Sequence, residues 1–328
     1  MTAERSLVTG AAGFIGAHLC RRLAGLGHQV IALDARPQPD ALRLDGIRFV
    51  RADLRDPVQW ADELRATRTV FHLASVHLQV NAPEEEYRAV NRDAALALVD
   101  ASHARGVERF VHVSTVGIYG HVQHPPATED APRQPTNAYE RTKLEGEVAV
   151  AEVANRHGVD LRVLRPAWVY GPGCHRTARL LRTIKRRRFV FIGEGTNLRH
   201  PVFVSDVVDA LVLESERTPG MRRDHIVAGP AAMPLRELVN ACATVLGVPA
   251  PGITLPRQAA LAIGRGAELG GRLLGKEPPF SRRSLAFFEN DNAFDCSAAR
   301  RDLGYVARVD FADGLRTTLA DPTWPLVL

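Results

Sequence analysis

Residues 9–16, "TGAAGFIG", decide the fold, because they place Gly10, Gly13 and Gly16 between a short apolar run and a helical pattern. The run "SLVTG" before the turn predicts a strand, and Ile15–Leu26 after it predicts a helix. Glycines at such a junction let the backbone approach a pyrophosphate, which the amides and dipole at the helix N-terminus attract. The turn therefore predicts a dinucleotide-binding strand–turn–helix unit at the start of the chain.

Outward from this turn, strand and helix patterns alternate through the first half of the chain. Further strands are predicted for "HQVIALD", "IRFVRADL", "TVFHLAS", "RFVHVST" and "DLRVLRPAWVYG". Helices are predicted between them over Asp56–Ala66, Tyr87–Arg105 and Asn137–His157. Such alternation indicates βαβ units and a parallel sheet. The predicted fold class is α/β, a doubly wound parallel sheet of the Rossmann type with a smaller C-terminal substrate-binding region.

The pattern loosens after Gly171, where prolines and glycines separate short segments. We predict a dinucleotide-binding domain over residues 1–170 and a substrate-binding region over 171–328, with part of 200–230 returning to the first domain. Residues 257–275, "RQAALAIGRGAELGGRLLG", are apolar but rich in glycine, and each glycine costs a helix about 1 kcal/mol relative to alanine. A packed helix is favoured there over a mobile flap or a surface-binding helix.

The composition, with 45% hydrophobic and 24% charged residues, is ordinary for a globular protein. A net charge of +5 spread over 328 residues does not indicate nucleic acid, and the basic run 185–188 predicts a solvated helix end. The four cysteines are far apart, so neither disulfides nor a metal site is predicted. Because no signal core is seen and no apolar stretch reaches the ~20 residues of a membrane helix, we expect a cytoplasmic protein without a membrane span.

Two residues at the end of the second predicted strand bear on the choice of cofactor. The carboxylate of Asp34 is suited to accept hydrogen bonds from a ribose diol, and it would repel a 2′-phosphate. Arg36 could instead pair with that phosphate. The pattern therefore favours NAD and does not exclude NADP.

A catalytic pair is predicted in "NAYERTKLEGE", where Tyr139 and Lys143 share one helix face at i and i+4. A tyrosine with a pKa near ~10 is a poor base at neutral pH. A nearby ammonium and a positively charged nicotinamide both favour the phenolate. We therefore expect a lowered pKa for Tyr139 and a role for it in proton transfer.

The Gly-x-x-Gly-x-x-Gly spacing, "HLAS" at 72–75 and "VNRDAALALVDAS" at 90–102 resemble the extended branch of the short-chain dehydrogenase/reductase superfamily over most of the chain. The resemblance implies NAD as cofactor, a small-molecule substrate and a homodimer formed through the helices at Tyr87–Arg105 and Asn137–His157. Asn91 matches an asparagine common in that branch. The cofactor-binding residues so implied are Gly10, Gly13, Phe14, Ile15, Gly16, Asp34, Arg36, Asp53, Leu54, Ala74, Ser75, Tyr139, Lys143 and Pro166.

The resemblance also implies a catalytic hydroxyl four residues before the tyrosine of a Tyr-Gly pair. Tyr119 and Gly120 form that pair, so the implied residue is Thr115, which would hold the substrate oxygen beside Tyr139. Dehydratases of the branch carry Asp-Glu directly after this threonine. Here the positions hold Val116 and Gly117, which cannot do acid–base work, so dehydration by that route is not expected.

The substrate signals are mixed. In "GEGTNLRHPVFVSDV", residues 193–207, Arg199 stands where epimerases similar to this chain place an arginine on a nucleotide diphosphate, which it could hold bidentately. Trp168 stands where sugar-nucleotide enzymes carry an asparagine, and an indole suits a ring system better than a pyrophosphate. Residues 275–305 also resemble the hydroxysteroid dehydrogenases more closely. Trp168 and Arg199 are both predicted to contact substrate.

Three functions stay open. The leading one is an NAD(P)-dependent oxidoreductase acting on a secondary alcohol or ketone of a bulky, partly apolar small molecule. A nucleotide-sugar 4-epimerase with tightly bound NAD comes second. A non-catalytic NAD-binding protein is disfavoured, since such a protein would not need Thr115, Tyr139 and Lys143 together.

Overall fold

A computed structural model of the protein describes residues 4–77, 83–218, 220–262 and 282–323. The strands within these ranges are β1 (Arg5–Thr9), β2 (Gln29–Asp34), β3 (Ile47–Arg51), β4 (Thr69–His72), β5 (Arg109–Val113), β6 (Asp160–Pro166), β7 (Trp168–Tyr170), β8 (Phe191–Ile192), β9 (Leu198–Arg199), β10 (Pro201–Phe203), β11 (Asp224–Val227), β12 (Met233–Pro234) and β13 (Thr254–Leu255). The α-helices are α1 (Phe14–Gly25), α2 (Glu84–Arg88), α3 (Ala95–Ala104), α4 (Ala138–His157), α5 (His175–Lys185), α6 (Val204–Glu216), α7 (Leu235–Val245), α8 (Arg282–Glu289), α9 (Ser297–Leu303) and α10 (Phe311–Ala320).

Seven parallel strands form the central sheet in the order β3-β2-β1-β4-β5-β6-β11. The chain starts in the middle of this sheet, builds outward to β3, and then crosses back to β4. The chain therefore leaves β1 toward one edge of the sheet and β4 toward the other. Between two such parallel strands a crevice opens at their carboxyl ends, where ligands bind in α/β sheets. The prediction of a doubly wound Rossmann sheet is confirmed, and the crevice lies between β1 and β4.

Both faces of the sheet are covered, which explains the near-continuous apolar character of its strands. Val8 of β1 packs into one core with Leu19 of α1 and Leu211 of α6. Its neighbour Leu7 points to the opposite face and packs with Leu98 of α3 and Val153 of α4. The alternation of side chains along β1 thus packs one helix layer against each face of the sheet.

The helix predicted over Asp56–Ala66 is wrong. The segment forms two short 3-10 turns, Pro57–Gln59 and Ala61–Leu64, separated at Trp60. The Trp60 side chain is buried, and its Nε1 donates to the carbonyl of Leu54 at 3.1 Å. This tertiary bond holds the Trp60 backbone out of the helical conformation, with φ at −138°.

The sixth predicted strand, residues 160–171, is divided in the structure. β6 ends at Pro166 in the central sheet, whereas β7 pairs in parallel with β10 in a separate two-stranded sheet. The helix predicted over Tyr87–Arg105 begins earlier, as α2, and passes through a π-helical turn at Ala89–Ala94 into α3. β11 pairs with β6, so residues 224–227 complete the central sheet.

The remaining C-terminal elements surround the ends of β7 and β10. Residues 257–262 are helical, and the rest of the glycine-rich segment 257–275 lies outside the described residues. Across the described ranges, no helix has the length and apolar character needed to cross a membrane. In the same ranges no cluster of three metal-ligating side chains is found.

His225 joins the central sheet to two C-terminal helices through buried ion pairs. Its Nδ1 lies 2.6 Å from Glu214 of α6, and its Nε2 lies 3.2 Å from Asp302 of α9. Burial disfavours the charged ring, but the two carboxylates outweigh burial and the repulsion of Arg217, so the pKa of His225 is raised. A pKa raised on folding stabilises the protein below the unfolded value of about 6.5, and the gain is lost as pH rises through the folded value.

We therefore expect His225→Gln to destabilise the protein by about 3 kcal/mol at pH 6, the typical cost of breaking a buried pair. The difference from the unsubstituted protein should shrink as pH rises through the raised pKa of folded His225, above which the ring is neutral in both states. Urea denaturation at pH 6, 7.5 and 9 measures this difference. A difference that stays constant over that range would contradict the proposed charge on His225.

Candidate active site

The glycine turn has no room for side chains at its three glycines. A β-carbon on Gly10, where φ is +69°, would lie 2.7 Å from the amide nitrogen of Ala74. One on Gly13 would lie 2.9 Å, and one on Gly16 2.2 Å, from the carbonyl oxygen of Gly10. No side chain caps the start of α1 at Gly13. The turn is therefore an open cradle of backbone amides at a helix N-terminus, which fits the pyrophosphate of a dinucleotide.

Phe14 and Ile15 follow this turn with half-buried side chains that pack against the core. Contact with a dinucleotide at these positions would come from their main-chain amides. Ala74 is placed against the same turn, and its amide donates to the hydroxyl of Thr9 at 3.2 Å. Ser75 follows it at the end of β4, half-buried.

Asp34 and Arg36 form an ion pair beside the turn. One carboxylate oxygen of Asp34 accepts from the amide of Ala12 at 2.9 Å, and the other accepts from the amide of Arg36 at 2.9 Å. The Arg36 guanidinium donates to both oxygens at 3.1 Å. Arg36 is thus bound by the same carboxylate that is predicted to bind the ribose. The Arg36 side chain remains solvent-exposed.

Asp53, predicted near adenine, is bound by Arg55, whose Nη2 donates to its carboxylate at 2.6 Å. This hydrogen bond lowers the pKa of Asp53. The neighbouring Leu54 is buried in the core on the α3 and α4 face. Pro166 ends β6 at the same edge of the sheet. The adjacent Arg165 is buried in a network with Glu147, Tyr119 and Asp224 and does not face the cofactor edge.

The three predicted catalytic residues are brought together at the carboxyl end of β5. The Thr115 hydroxyl accepts from the amide of Gly117 at 3.0 Å, and it lies near enough to the Tyr139 phenol to lower the pKa of that phenol. Asn137 caps α4 by accepting from the Glu140 amide, so Tyr139 stands in the first turn of that helix. Lys143, one turn further, donates from Nζ to the carbonyl of Val113 at 2.7 Å.

The expected lowering of the Tyr139 pKa is wrong for the protein alone. Burial raises the pKa of Tyr139 to about 12, although the Thr115 hydrogen bond and the charge of Arg176 act in the opposite direction. Burial lowers the pKa of Lys143 to about 8, against the pull of Glu147. The Lys143 ammonium is turned toward Val113, so it does not supply the lowering that the i,i+4 spacing alone suggested.

Two residues of this site were missed at the level of sequence. The His77 ring lies edge-on to the Tyr139 ring, with centroids 4.5 Å apart. Desolvation, Arg176 and Lys143 lower the pKa of His77, so its ring is neutral at pH 7. Arg176 of α5 influences the pKa of His77, Tyr139 and Arg199, which places its charge in the same cleft. Neither residue belongs to a motif, and only the fold brings α5 to the end of β5.

Asn91 lies in the π-helical turn and holds the end of β4 against α4. Its side-chain oxygen accepts from the Val76 amide at 2.9 Å, and its nitrogen donates to the Thr142 hydroxyl at 3.0 Å. Ser114 is buried, and its hydroxyl has no partner among the described residues. Both observations agree with positioning roles beneath the catalytic residues.

Trp168 and Arg199 each pack against Phe287, and we call these three residues the cleft wall. The Trp168 ring lies edge-on to Phe287 at 6.2 Å, and its buried Nε1 has no acceptor among the described residues. Arg199 is 7% exposed, and its guanidinium lies 4.6 Å from the centre of the Phe287 ring. Burial, followed by the charge of Arg176, lowers the pKa of Arg199 to about 10.

The guanidinium of Arg199 is already engaged by protein carbonyls. Its Nη2 donates to Ala286 at 3.2 Å and also to Phe287, near the C-terminal end of α8, where a positive charge is favourable. Its Nε is buried without a partner among the described residues. Arg199 therefore binds the end of α8 through Nη2 alone, and its Nε and Nη1 donate no hydrogen bond to the described residues.

A family profile described as "NAD dependent epimerase/dehydratase family" matches residues 6–229. The chain is 33% identical over 338 residues to a UDP-glucose 4-epimerase of Mycolicibacterium smegmatis, covering 96% of this chain and 97% of the relative. It is 28% identical over 321 residues to a 2-alkyl-3-oxoalkanoate reductase of Stenotrophomonas maltophilia, covering 94% and 97%. The structure of MoeE5 in complex with UDP-glucuronic acid and NAD superposes with a TM-score of 0.77 at 30% identity, covering 96% and 97%.

Proposed function

The chain belongs to the NAD dependent epimerase/dehydratase family and uses NAD, and from this premise we propose that it is an oxidoreductase for a secondary alcohol or ketone of a bulky, partly apolar small molecule. The observation that carries the proposal is the meeting of Thr115, Tyr139 and Lys143 at the carboxyl end of β5. We assign the body of the substrate to the aromatic pair Trp168 and Phe287.

Each residue has a role that follows from its geometry. When bound, the nicotinamide supplies the hydride chemistry. Tyr139 exchanges the proton of the substrate oxygen, and Thr115, which lies beside the same phenol, orients that oxygen. Burial lowers the pKa of Lys143 to about 8, and the Lys143 ammonium supplies positive charge beneath the site. The glycine cradle fixes the pyrophosphate, so that the reacting groups are held at the end of β5.

The cleft wall favours an apolar substrate body over a diphosphate. Trp168 and Phe287 present aromatic surface there, whereas Nη2 of Arg199 donates to carbonyls of α8. To clamp a diphosphate with its full fork, Arg199 would have to turn Nη2 away from those carbonyls, which also accept from Asn290 and Asn197. An apolar ring needs no such rearrangement.

A nucleotide-sugar 4-epimerase is the second candidate, and the M. smegmatis relative at 33% identity supports it. One assay separates the two functions: the protein is incubated with NAD and either 1-indanol or UDP-glucose. We expect NADH release from 1-indanol and no UDP-galactose. Formation of UDP-galactose without NADH release would establish the epimerase instead, and neither product would favour a non-catalytic protein.

Asp34→Ala tests the basis of the cofactor preference. Loss of the carboxylate removes the ribose acceptor and frees Arg36, which Asp34 now holds at 3.1 Å. We expect the ratio of Kd for NADP to Kd for NAD to fall about 10-fold or more, the loss of one charge-assisted hydrogen bond. Fluorescence titration with NADH and NADPH measures it. An unsubstituted protein that already prefers NADPH would contradict this assignment.

We further infer that residues 1–170 bind the dinucleotide and that residues 171–328 mainly shape the substrate cleft. We also infer that the protein is cytoplasmic and that it forms a homodimer through α3 and α4. Val148 on α4 is 43% exposed and offers apolar surface for that interface. Sedimentation at micromolar concentration tests the dimer, and a purely monomeric species would count against it.

A further inference from the structure

The two positions directly after Thr115 hold no acidic residue. The space beside Thr115 is nevertheless occupied by a carboxylate, that of Glu140. A β-carbon on Gly117 would lie 3.0 Å from Cγ of Glu140 and 3.4 Å from its Oε1. The same point is 3.3 Å from the Thr115 hydroxyl oxygen. Glu140, the residue after Tyr139, therefore fills the side-chain space of position 117 from the neighbouring helix, and its carboxylate lies on the side of the catalytic hydroxyl.

The two oxygens of this carboxylate have different surroundings. Oε2 accepts from the Thr136 amide at 2.7 Å and from the Thr136 hydroxyl at 2.8 Å. These bonds fix the carboxylate as an N-terminal helix cap. Oε1 accepts no hydrogen bond from the residues that the structure describes. The cap thus aims one unused acceptor at the space next to Thr115.

The charge of Glu140 is also felt at the reacting centre. After burial, which dominates, Glu140 is the group that raises the pKa of Tyr139. An acceptor here would also bind a donor carried by the substrate, since no protein donor reaches it within the described chain.

We propose that Glu140 Oε1 accepts a hydrogen bond from a substrate hydroxyl on the carbon next to the one that is oxidised, so that the preferred substrates are vicinal diols. This inference rests on the proposed oxidation of a secondary alcohol. Thr115 and Tyr139 hold the reacting oxygen, and Glu140, on the far side of the Gly117 space, holds its neighbour. Glu140 is a specificity residue that touches substrate, and its contact adds to the hydride step without changing the bonds formed and broken.

The test compares cis-1,2-indanediol with 1-indanol, a matched pair that differs in one hydroxyl. We expect kcat/KM for NADH formation to be about 10- to 100-fold higher for the diol, the range for a hydrogen bond to a charged acceptor. Glu140→Gln keeps an oxygen that can accept from Thr136 and places an amide NH2 group, a donor, where Oε1 stood. It should bring the diol down to the level of 1-indanol and leave 1-indanol within about 3-fold.

Two further variants separate binding from structure. Glu152→Gln makes the same change at an exposed position of the same helix and should keep the diol preference. Gly117→Glu combined with Glu140→Ala returns the carboxylate to the strand-end loop and should restore part of the preference. Equal kcat/KM for the two alcohols in the unsubstituted protein, or equal losses for both in Glu140→Gln, would overturn the inference.

Calorimetric titration of the NADH-bound protein with each alcohol gives a readout that needs no turnover. Preferred diol binding that disappears in Glu140→Gln supports the role of Glu140 even where neither alcohol yields NADH, and that result would count against the proposed oxidoreductase function alone. Equal binding of both alcohols overturns the inference and leaves the proposed function standing if 1-indanol yields NADH.

Discussion

Tyr139→Phe should abolish turnover while NAD binding survives. The change removes one hydroxyl that lies beside Thr115 and leaves the ring and its edge-on contact with His77 in place. Proton transfer by a positioned side chain contributes about 10²- to 10⁴-fold to rate. We therefore expect kcat to fall about 1,000-fold within that range, with Kd for NAD changing less than about 3-fold, because the glycine cradle lies elsewhere.

Tyr305→Phe provides the matched control. Its hydroxyl is also buried and donates to the Ala228 carbonyl at 2.8 Å, but it stands between α9 and β11, away from the cleft. This variant should lose about 1 kcal/mol of stability and keep its kcat. Stopped assays and fluorescence titration on both variants give the comparison. Turnover retained in Tyr139→Phe would remove the phenol from the mechanism.

Gly16→Ala should weaken dinucleotide binding about 100-fold and destabilise the fold. The added β-carbon would lie 2.2 Å from the Gly10 carbonyl oxygen and 2.9 Å from Cα of Ala11. Both contacts are to backbone, so the turn itself must shift. We expect a loss of about 2 kcal/mol of stability, as for overpacking, and a rise in Kd for NAD of about 100-fold, or about 2.7 kcal/mol.

Gly25→Ala makes the same substitution at the other end of α1. Nothing lies within 4 Å of a β-carbon there, so alanine should stabilise the protein by about 0.5 kcal/mol and leave NAD binding unchanged. Thermal denaturation and calorimetric titration with NAD measure both variants. Normal NAD affinity in Gly16→Ala would show that the cradle is not the pyrophosphate site.

The doubly wound parallel sheet and its cofactor edge could be predicted because they follow from local signals. The glycine turn, the alternating strand and helix patterns and Asp34 at a strand end are each read from a few neighbouring residues. The helix expected at Asp56–Ala66 failed because the indole of Trp60 is bound to the Leu54 carbonyl, a tertiary contact that overrides local propensity.

The chemistry of the site was less accessible from sequence. The spacing of Tyr139 and Lys143 correctly puts them on one helix, but the spacing does not show that Lys143 is bonded to Val113 or that burial raises the Tyr139 pKa. Arg199 illustrates the same difficulty: its motif suggests a phosphate ligand, whereas its guanidinium holds the end of α8. Glu140 in the space of Gly117 is a contact between two segments that no single motif contains.

The transfer of hydrogen from the substrate carbon tests the central claim most directly. The protein is incubated with NAD and cis-1,2-indanediol carrying deuterium on the carbinol carbons, and the NADH is analysed by mass spectrometry. We expect one deuterium per molecule of NADH, formed by the unsubstituted protein and lost in Tyr139→Phe. NADH without deuterium, or equal formation in Tyr139→Phe, would contradict hydride transfer at the site formed by Thr115, Tyr139 and Lys143.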